Sequence, residues 1–82
     1  MRTYELMPID GRKSFYNKAY VVISDDNTET LYSYGTKIVS RTADGELRRH
    51  YNGEWTATTG RHIKAFCGLN KKEWESMAIF GQ

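Results

Sequence analysis

The dipeptide Asp44-Gly45, set between "TKIVSRTA" and "ELRRHYN", constrains this chain more than any other feature. Each flanking run alternates β-branched, aromatic and polar residues, and an Asp-Gly pair between two such runs is a hairpin signal. A two-residue type I′ turn there sets a register. Ala43 faces Glu46, Thr42 faces Leu47, Arg41 faces Arg48, Ser40 faces Arg49, Val39 faces His50 and Ile38 faces Tyr51. Strand faces alternate with period two. Ile38, Ser40, Thr42, Leu47, Arg49 and Tyr51 then share the face with the better apolar anchors, which is expected to meet the core. Arg49 is expected at its edge, with its stem buried and its guanidinium at the rim. Val39, Arg41, Ala43, Glu46, Arg48 and His50 face outward. Arg41 directly against Arg48 is mildly unfavourable, on a scale of ~0.2–1 kcal/mol, unless water, an anion or an acidic partner lies between them.

The same logic extends along the chain. "TYELMPID" reads as extended, with Pro8 suited to an edge or leading segment. "GRKSFYNK" reads as a polar turn anchored by Phe15 and Tyr16. Strands are expected over 19–24, 29–35, 36–43 and 46–52, with a turn at "DDNT" and a second at Asn52-Gly53. The period then changes. Ile63, Phe66 and Cys67 fall at helical spacing, with Thr58 or Thr59 as N-cap and Gly68 or Asn70 as the stop. Gly60 inside that helix costs about 1 kcal/mol against Ala. "NKKEWESMA" offers Asn70 and Glu73 as a capping box, with Trp74, Met77 and Ala78 as an apolar stripe. Strands followed by helices imply an α+β fold: an antiparallel four- or five-stranded meander, then one or two C-terminal helices packed on one face.

Size and charge narrow the chemistry. With 82 residues, the expectation is one small domain spanning 1–82. Such a chain buries only about 60–65% of its unfolded surface, too little for a deep enclosed site. Twelve basic residues against ten acidic ones give a net charge of +2, well short of a dedicated phosphate-backbone binder. One cysteine, Cys67, rules out an internal disulfide. The longest apolar run is "AYVVI", far too short to cross a membrane, so a cytoplasmic protein without membrane contact is expected.

Catalytic and metal patterns fail individually. His50, His62 and Cys67 lack the spacing of a zinc site, and no metal or other cofactor is expected. His62 and Cys67 are about 140° apart around a helix, so they do not meet as base and nucleophile. Asp25-Asp26 lie in a turn, and Glu73 and Glu75 point different ways. No phosphate-binding or nucleophile-elbow motif occurs. The expectation is a protein that is not an enzyme.

Binding residues are easier to nominate. If Leu31 points to the helices beside Val22, Tyr32 and Tyr34 share the opposite face, next to Arg41, Arg48 and His50. Tyr and Arg dominate interface hot spots, and tyrosines also stack bases. The competing reading has the tyrosines packed over Val21, Ile23 and Phe15 as a second layer. His62 borders the apolar stripe, either bonded to a sheet carbonyl or available to a partner. Trp55 belongs to the strand-to-helix corner, where packing is its expected role.

Three stretches, "GRKSFYNKAYV", "LYSYGTKIVS" and "TATTGRHIKAFC", resemble a family of small proteins encoded by bacteriophages and mobile elements, mostly of Gram-positive bacteria. Its pattern runs S/N-F-Y-x-K-A, then L-x-S-Y-x-T, then W-x-x-T-T-x-R-H-I-x-x-F, and the match spans about residues 11–67. The last motif places Trp55, Thr58, Thr59, Arg61, His62, Ile63 and Phe66 at the family spacing. Asn17, where Gly is common, and the segment from Lys71 onward depart from it. The resemblance implies a phage or prophage accessory protein in the host bacterial cytoplasm, acting by stoichiometric binding, with anti-defence (anti-CRISPR-like) inhibition as one form. Within T-T-x-R-H-I, Arg61 is either part of a fold device or beside an anion pocket at a helix N-terminus. The expected contact residues are thus Tyr32, Tyr34, Arg41, Arg48, His50 and Arg61. The expected partner is a protein, with nucleic acid as the alternative and self-association through a sheet edge also open.

Overall fold

The computed structural model describes residues 2–6 and 18–81. The expectations for Pro8, Phe15, Tyr16 and Asn17 lie outside those residues. Five strands, β1 (Arg2–Glu5), β2 (Ala19–Ile23), β3 (Glu29–Ser33), β4 (Thr36–Arg41) and β5 (Leu47–Arg49), pair antiparallel in sequence order. Two helices follow, α1 (Ala57–Cys67) and α2 (Lys71–Glu75). The α+β meander expected from the sequence is what the described residues form, with five strands and two helices.

The turns differ from expectation. The β4–β5 pairs are Arg41↔Leu47, Ser40↔Arg48 and Val39↔Arg49, one residue out from the predicted register. Gly45 N–H donates to Thr42 O, Thr42 N–H donates to Glu46 O, and Gly45 sits at φ +93°. This is a three-residue loop, a turn closed by a left-handed glycine bulge, rather than a type I′ turn. Thr42 locks it from inside, its hydroxyl donating to the Asp44 carboxylate and accepting from Glu46 N–H. The β2–β3 turn repeats the pattern. Asn27 N–H donates to Ser24 O, Ser24 N–H donates to Thr28 O, and Asn27 takes the left-handed position at φ +67°. The two-residue turn with two positive φ values lies instead at Tyr34 (φ +52°) and Gly35 (φ +79°), between β3 and β4.

A slip of one residue exchanges the faces of a strand. The helix-side face of the sheet carries Ala19, Val21, Leu31 and Val39, all fully buried, and continues through Arg41, Leu47 and Arg49. Val21, not Val22, pairs with Leu31. Ile38 also reaches the core. The β3–β4 register shifts between Leu31 and Tyr32, so Ile38 is an extra residue on β4, and both it and Val39 are buried. A bulge re-aims a side chain in this way.

The helices close the core with Ile63, Phe66 and Trp74. α1 starts earlier than expected: Thr56 is the N-cap and its hydroxyl accepts from Thr59 N–H at 3.1 Å. Gly60 therefore lies in the first turn, buried beneath Trp55, where a Cβ would overlap the indole. Gly68 ends α1 at φ +77°. Asn70 and Glu73 form the expected capping box around α2. α2 stops at Glu75, so Ala78 lies beyond it and is exposed. The chain then returns to the sheet: Ile79 bridges Arg49 in parallel, and Phe80 N–H donates to Arg49 O at 2.7 Å. Of the described residues, no helix is long and apolar enough to cross a membrane.

Candidate functional site

Side chains that alternate away from the core gather on the helix-free face. The β2–β3 register sets Tyr20 opposite Tyr32, and their rings stack with centroids 5.4 Å apart and planes within 6°. Lys37 pairs with Tyr32 across β3–β4, Thr30 with Ser40, and Ser40 with Arg48. His50, just past β5, shares a 2.8 Å hydrogen bond between its Nε2 and the Ser40 hydroxyl. Phe80 arrives from the C-terminal segment. The Arg48 guanidinium lies 4.7 Å from its ring centroid, and His50 meets it edge-on at 5.7 Å.

Beside the tyrosine stack, which is not part of its lining, lies an open groove of about 500 Å³. Thr30 and Ser40 make a recessed hydroxyl floor, being 8% and 4% exposed. Lys37, Arg48, His50 and Phe80 form walls, and Asp25 and Asp26 of the β2–β3 turn stand at one end. The charges are mixed in sign. Arg48 already pairs with Glu46, Nε to Oε2 at 2.8 Å. The Thr28 N–H bonded to Asp26 holds that carboxylate below its usual range, with Arg48 adding a smaller pull. Burial, then the charges of Lys37 and Arg48, push the His50 imidazole below the ordinary histidine value, so it is neutral at neutral pH.

The expected contact residues divide. Tyr32, Arg48 and His50 do share the helix-free face. Arg41 does not. The corrected register places it beside Leu47 on the helix side, bonded twice to Glu29 at 3.0 and 3.2 Å and once to Phe66 O at 3.1 Å. Its guanidinium covers the Phe66 ring at 4.7 Å. The expected Arg41–Arg48 juxtaposition is replaced by a Ser40–Arg48 pair, which removes the like-charge repulsion. Tyr34 is not on a strand face with Tyr32. It occupies the β3–β4 turn, 58% exposed, with Lys18 Nζ 5.7 Å from its centroid and the His62 ring 6.0 Å away. Arg61 stands on α1 beside His62, on the helix side of the sheet. Tyr20, Lys37 and Phe80 were not nominated from sequence. Carrying the "DDNT" turn through to a register marks Tyr20, whereas nothing local marks Phe80, which arrives from thirty residues away.

Two other groups of chemically active residues, Ser33 with His62 and Cys67, are held within the fold. Ser33 Oγ and His62 Nδ1 share a 2.8 Å hydrogen bond, but the two residues are only 3% and 2% exposed. This joins α1 to β3 through a side-chain hydroxyl. Burial, then the Arg61 charge, lowers the His62 imidazole. Cys67 donates its thiol to Ile63 O at 3.4 Å, and burial pushes that thiol up, away from thiolate chemistry. Among the described residues no group of His, Cys, Asp and Glu is placed to hold a metal ion.

A family model described as a family of unknown function (DUF8033) matches residues 4–82. No curated protein and no solved structure matches the chain.

Proposed function

The chain belongs to this family of unknown function, DUF8033, and from the geometry of the open sheet face we propose that it is a non-enzymatic binding protein for a protein partner. The observation that carries this reading is the composition of that face: a groove with Phe80 and the cationic Lys37 and Arg48 around a hydroxyl floor, Asp25 and Asp26 at one end, and a Tyr20–Tyr32 stack elsewhere on the same face. Aromatic and arginine side chains rimmed by charges of both signs suit a polar protein interface. A phosphate track wants one sign of charge. The resemblance in "LYSYGTKIVS" and "TATTGRHIKAFC" supports a setting in a phage or mobile element. There the protein acts stoichiometrically on a host or phage protein in the bacterial cytoplasm, with inhibition of a defence enzyme as one form.

The test is quantitative capture from a bacterial lysate, comparing the natural chain with Lys37→Glu/Arg48→Glu. Arg41 is left unaltered because it holds β3, β4 and α1 together. The expected result is a partner retained by the natural chain and released by the variant, with equal thermal midpoints for the two proteins. Capture of the same partner by both, or of none by either, overturns the reading. Binding of DNA or RNA at low salt that falls steeply as salt rises replaces it with a phosphate-binding function.

A further inference from the structure

The helix-free face has an order across its strands that the groove does not use. The pairs Glu5↔Tyr20, Tyr20↔Tyr32 and Tyr32↔Lys37 set these side chains in one row across β1, β2, β3 and β4. Strands lie about 4.8 Å apart, so the row is about 14 Å long. It begins in a carboxylate, passes over two stacked tyrosine rings and ends in an ammonium. Lys37 is exposed and Glu5 half-buried, and among the described residues no ion pair takes up either charge. The neighbouring row runs Thr3, Val22, Thr30 and Ser40, from the pairs Thr3↔Val22, Val22↔Thr30 and Thr30↔Ser40. It is uncharged and built of small side chains, so another surface can approach it closely. Tyr20, Val22 and Tyr32 are each only half-buried. Reversed, the first row is its own charge complement.

We infer that the tyrosine half of this face binds a second copy of this chain, face to face, about a two-fold axis parallel to the strands between β2 and β3. The axis lays Tyr20 of each copy over Tyr32 of the other. It sets Glu5 of each copy opposite Lys37 of the other, so one arrangement forms both ion pairs. The uncharged row reverses onto itself without bringing like charges together. Asp25 and Asp26 line the groove on the β4–β5 side and stand off the axis. The contact is isologous, as closed dimers require, and it keeps the strands of the two sheets nearly aligned, as stacked sheets prefer. Tyrosine burial supplies its energy, and the charge pairs fix its register. The inference rests on the reading of this face as protein-binding, and it names an occupant that covers the face before another partner does.

Sedimentation velocity over a concentration series tests this on the natural chain, Glu5→Lys, Lys37→Glu and an equimolar mixture of the two variants. Expected is a reversible monomer–dimer equilibrium for the natural chain. Each variant alone sets like charges opposite each other twice, and its dimer is expected to weaken by about tenfold or more. In the mixture the two introduced charges meet each other and the two native ones do the same, so a heterodimer of natural strength is expected. Glu5→Lys/Lys37→Glu in one chain reverses both pairs and is expected to dimerise like the natural protein. A natural chain that stays monomeric overturns the inference. A dimer that either single variant leaves intact also overturns it, because that contact lies elsewhere, as at a sheet edge. So does failure of both the mixture and the double variant to dimerise. Capture from a lysate reports separately: a monomeric natural chain leaves partner capture untouched, and a lysate without a partner leaves the mixing result untouched.

Discussion

Single residues in this protein are explained by what sits directly above them. Gly60 is the clearest case. In a first helical turn, Ala is favoured over Gly by about 1 kcal/mol, yet Gly60 is buried under the Trp55 indole, which occupies the space a Cβ needs. Overlap in a packed site costs about 1–3 kcal/mol, so crowding outweighs propensity. Gly60→Ala is therefore expected to lower the thermal midpoint. In a Trp55→Ala background the same change is expected to raise it, because only the helix-propensity gain remains. Urea denaturation of the four proteins of this cycle checks the prediction, and additive effects refute the contact. Arg41 shows the same principle with charge. Its salt bridge to Glu29 is only partly exposed, at 33% and 28% for the two side chains, and it also ties the sheet to Phe66, so it belongs to the fold rather than to a binding surface.

At the scale of elements, three turns do the organising, and their chemistry is not interchangeable. Asn27 and Gly45 take the left-handed position that closes two similar hairpin loops at one end of the sheet. The opposite turn uses Tyr34 in a left-handed conformation, where a residue with a Cβ carries strain of about 1–2 kcal/mol. Tyr34 also shields one side of His62, so its ring has a packing role that the turn geometry opposes. Asn tolerates this conformation better than Tyr. Tyr34→Asn is expected to leave the thermal midpoint unchanged or raise it by a few degrees. Gly45→Ala, at φ +93°, is expected to lower it by about 4–8 °C, the equivalent of 1 kcal/mol in a domain of this size. Calorimetry on both variants distinguishes a turn governed by backbone conformation from one governed by side-chain contacts. In the second case Tyr34→Asn is the more damaging change.

For the whole molecule, pH reads out how the layers are joined. His62 ties α1 to β3, and His50 ties the segment after β5 to β4. Burial leads the causes that depress both imidazoles. The unfolded chain therefore takes up protons at a higher pH than the native one. Stability contributed by these groups is complete above the ordinary histidine value near 6.5 and declines as pH falls toward the depressed native values. The thermal midpoint is expected to drop between about pH 7.5 and 5.5, a window above carboxylate titration. His62→Asn, less stable at neutral pH, is expected to show a shallower slope. A flat or rising midpoint in the natural chain contradicts the assignment.

The element order, the α+β class, the capping box of α2 and the core positions Leu31, Ile63, Phe66 and Trp74 were legible in the sequence, because periodicity and caps are local properties. Asp44-Gly45 located the hairpin for the same reason. It did not fix the register, since an Asp-Gly pair fits both a two-residue turn and the second half of a three-residue bulged loop. The Thr42 bonds to Asp44 and Glu46 and the pairing of Arg41 with Glu29 accompany the longer loop. That single step moved Arg41 into the fold and left Arg48 and His50 outside. Phe80 beside Arg48 and Trp74 beneath Arg49 are equally matters of tertiary contact. The sequence by itself determined which segments are strands and helices, because that depends on neighbours along the chain. Only the tertiary structure decided which side each cation serves, because a face is defined by what packs across it.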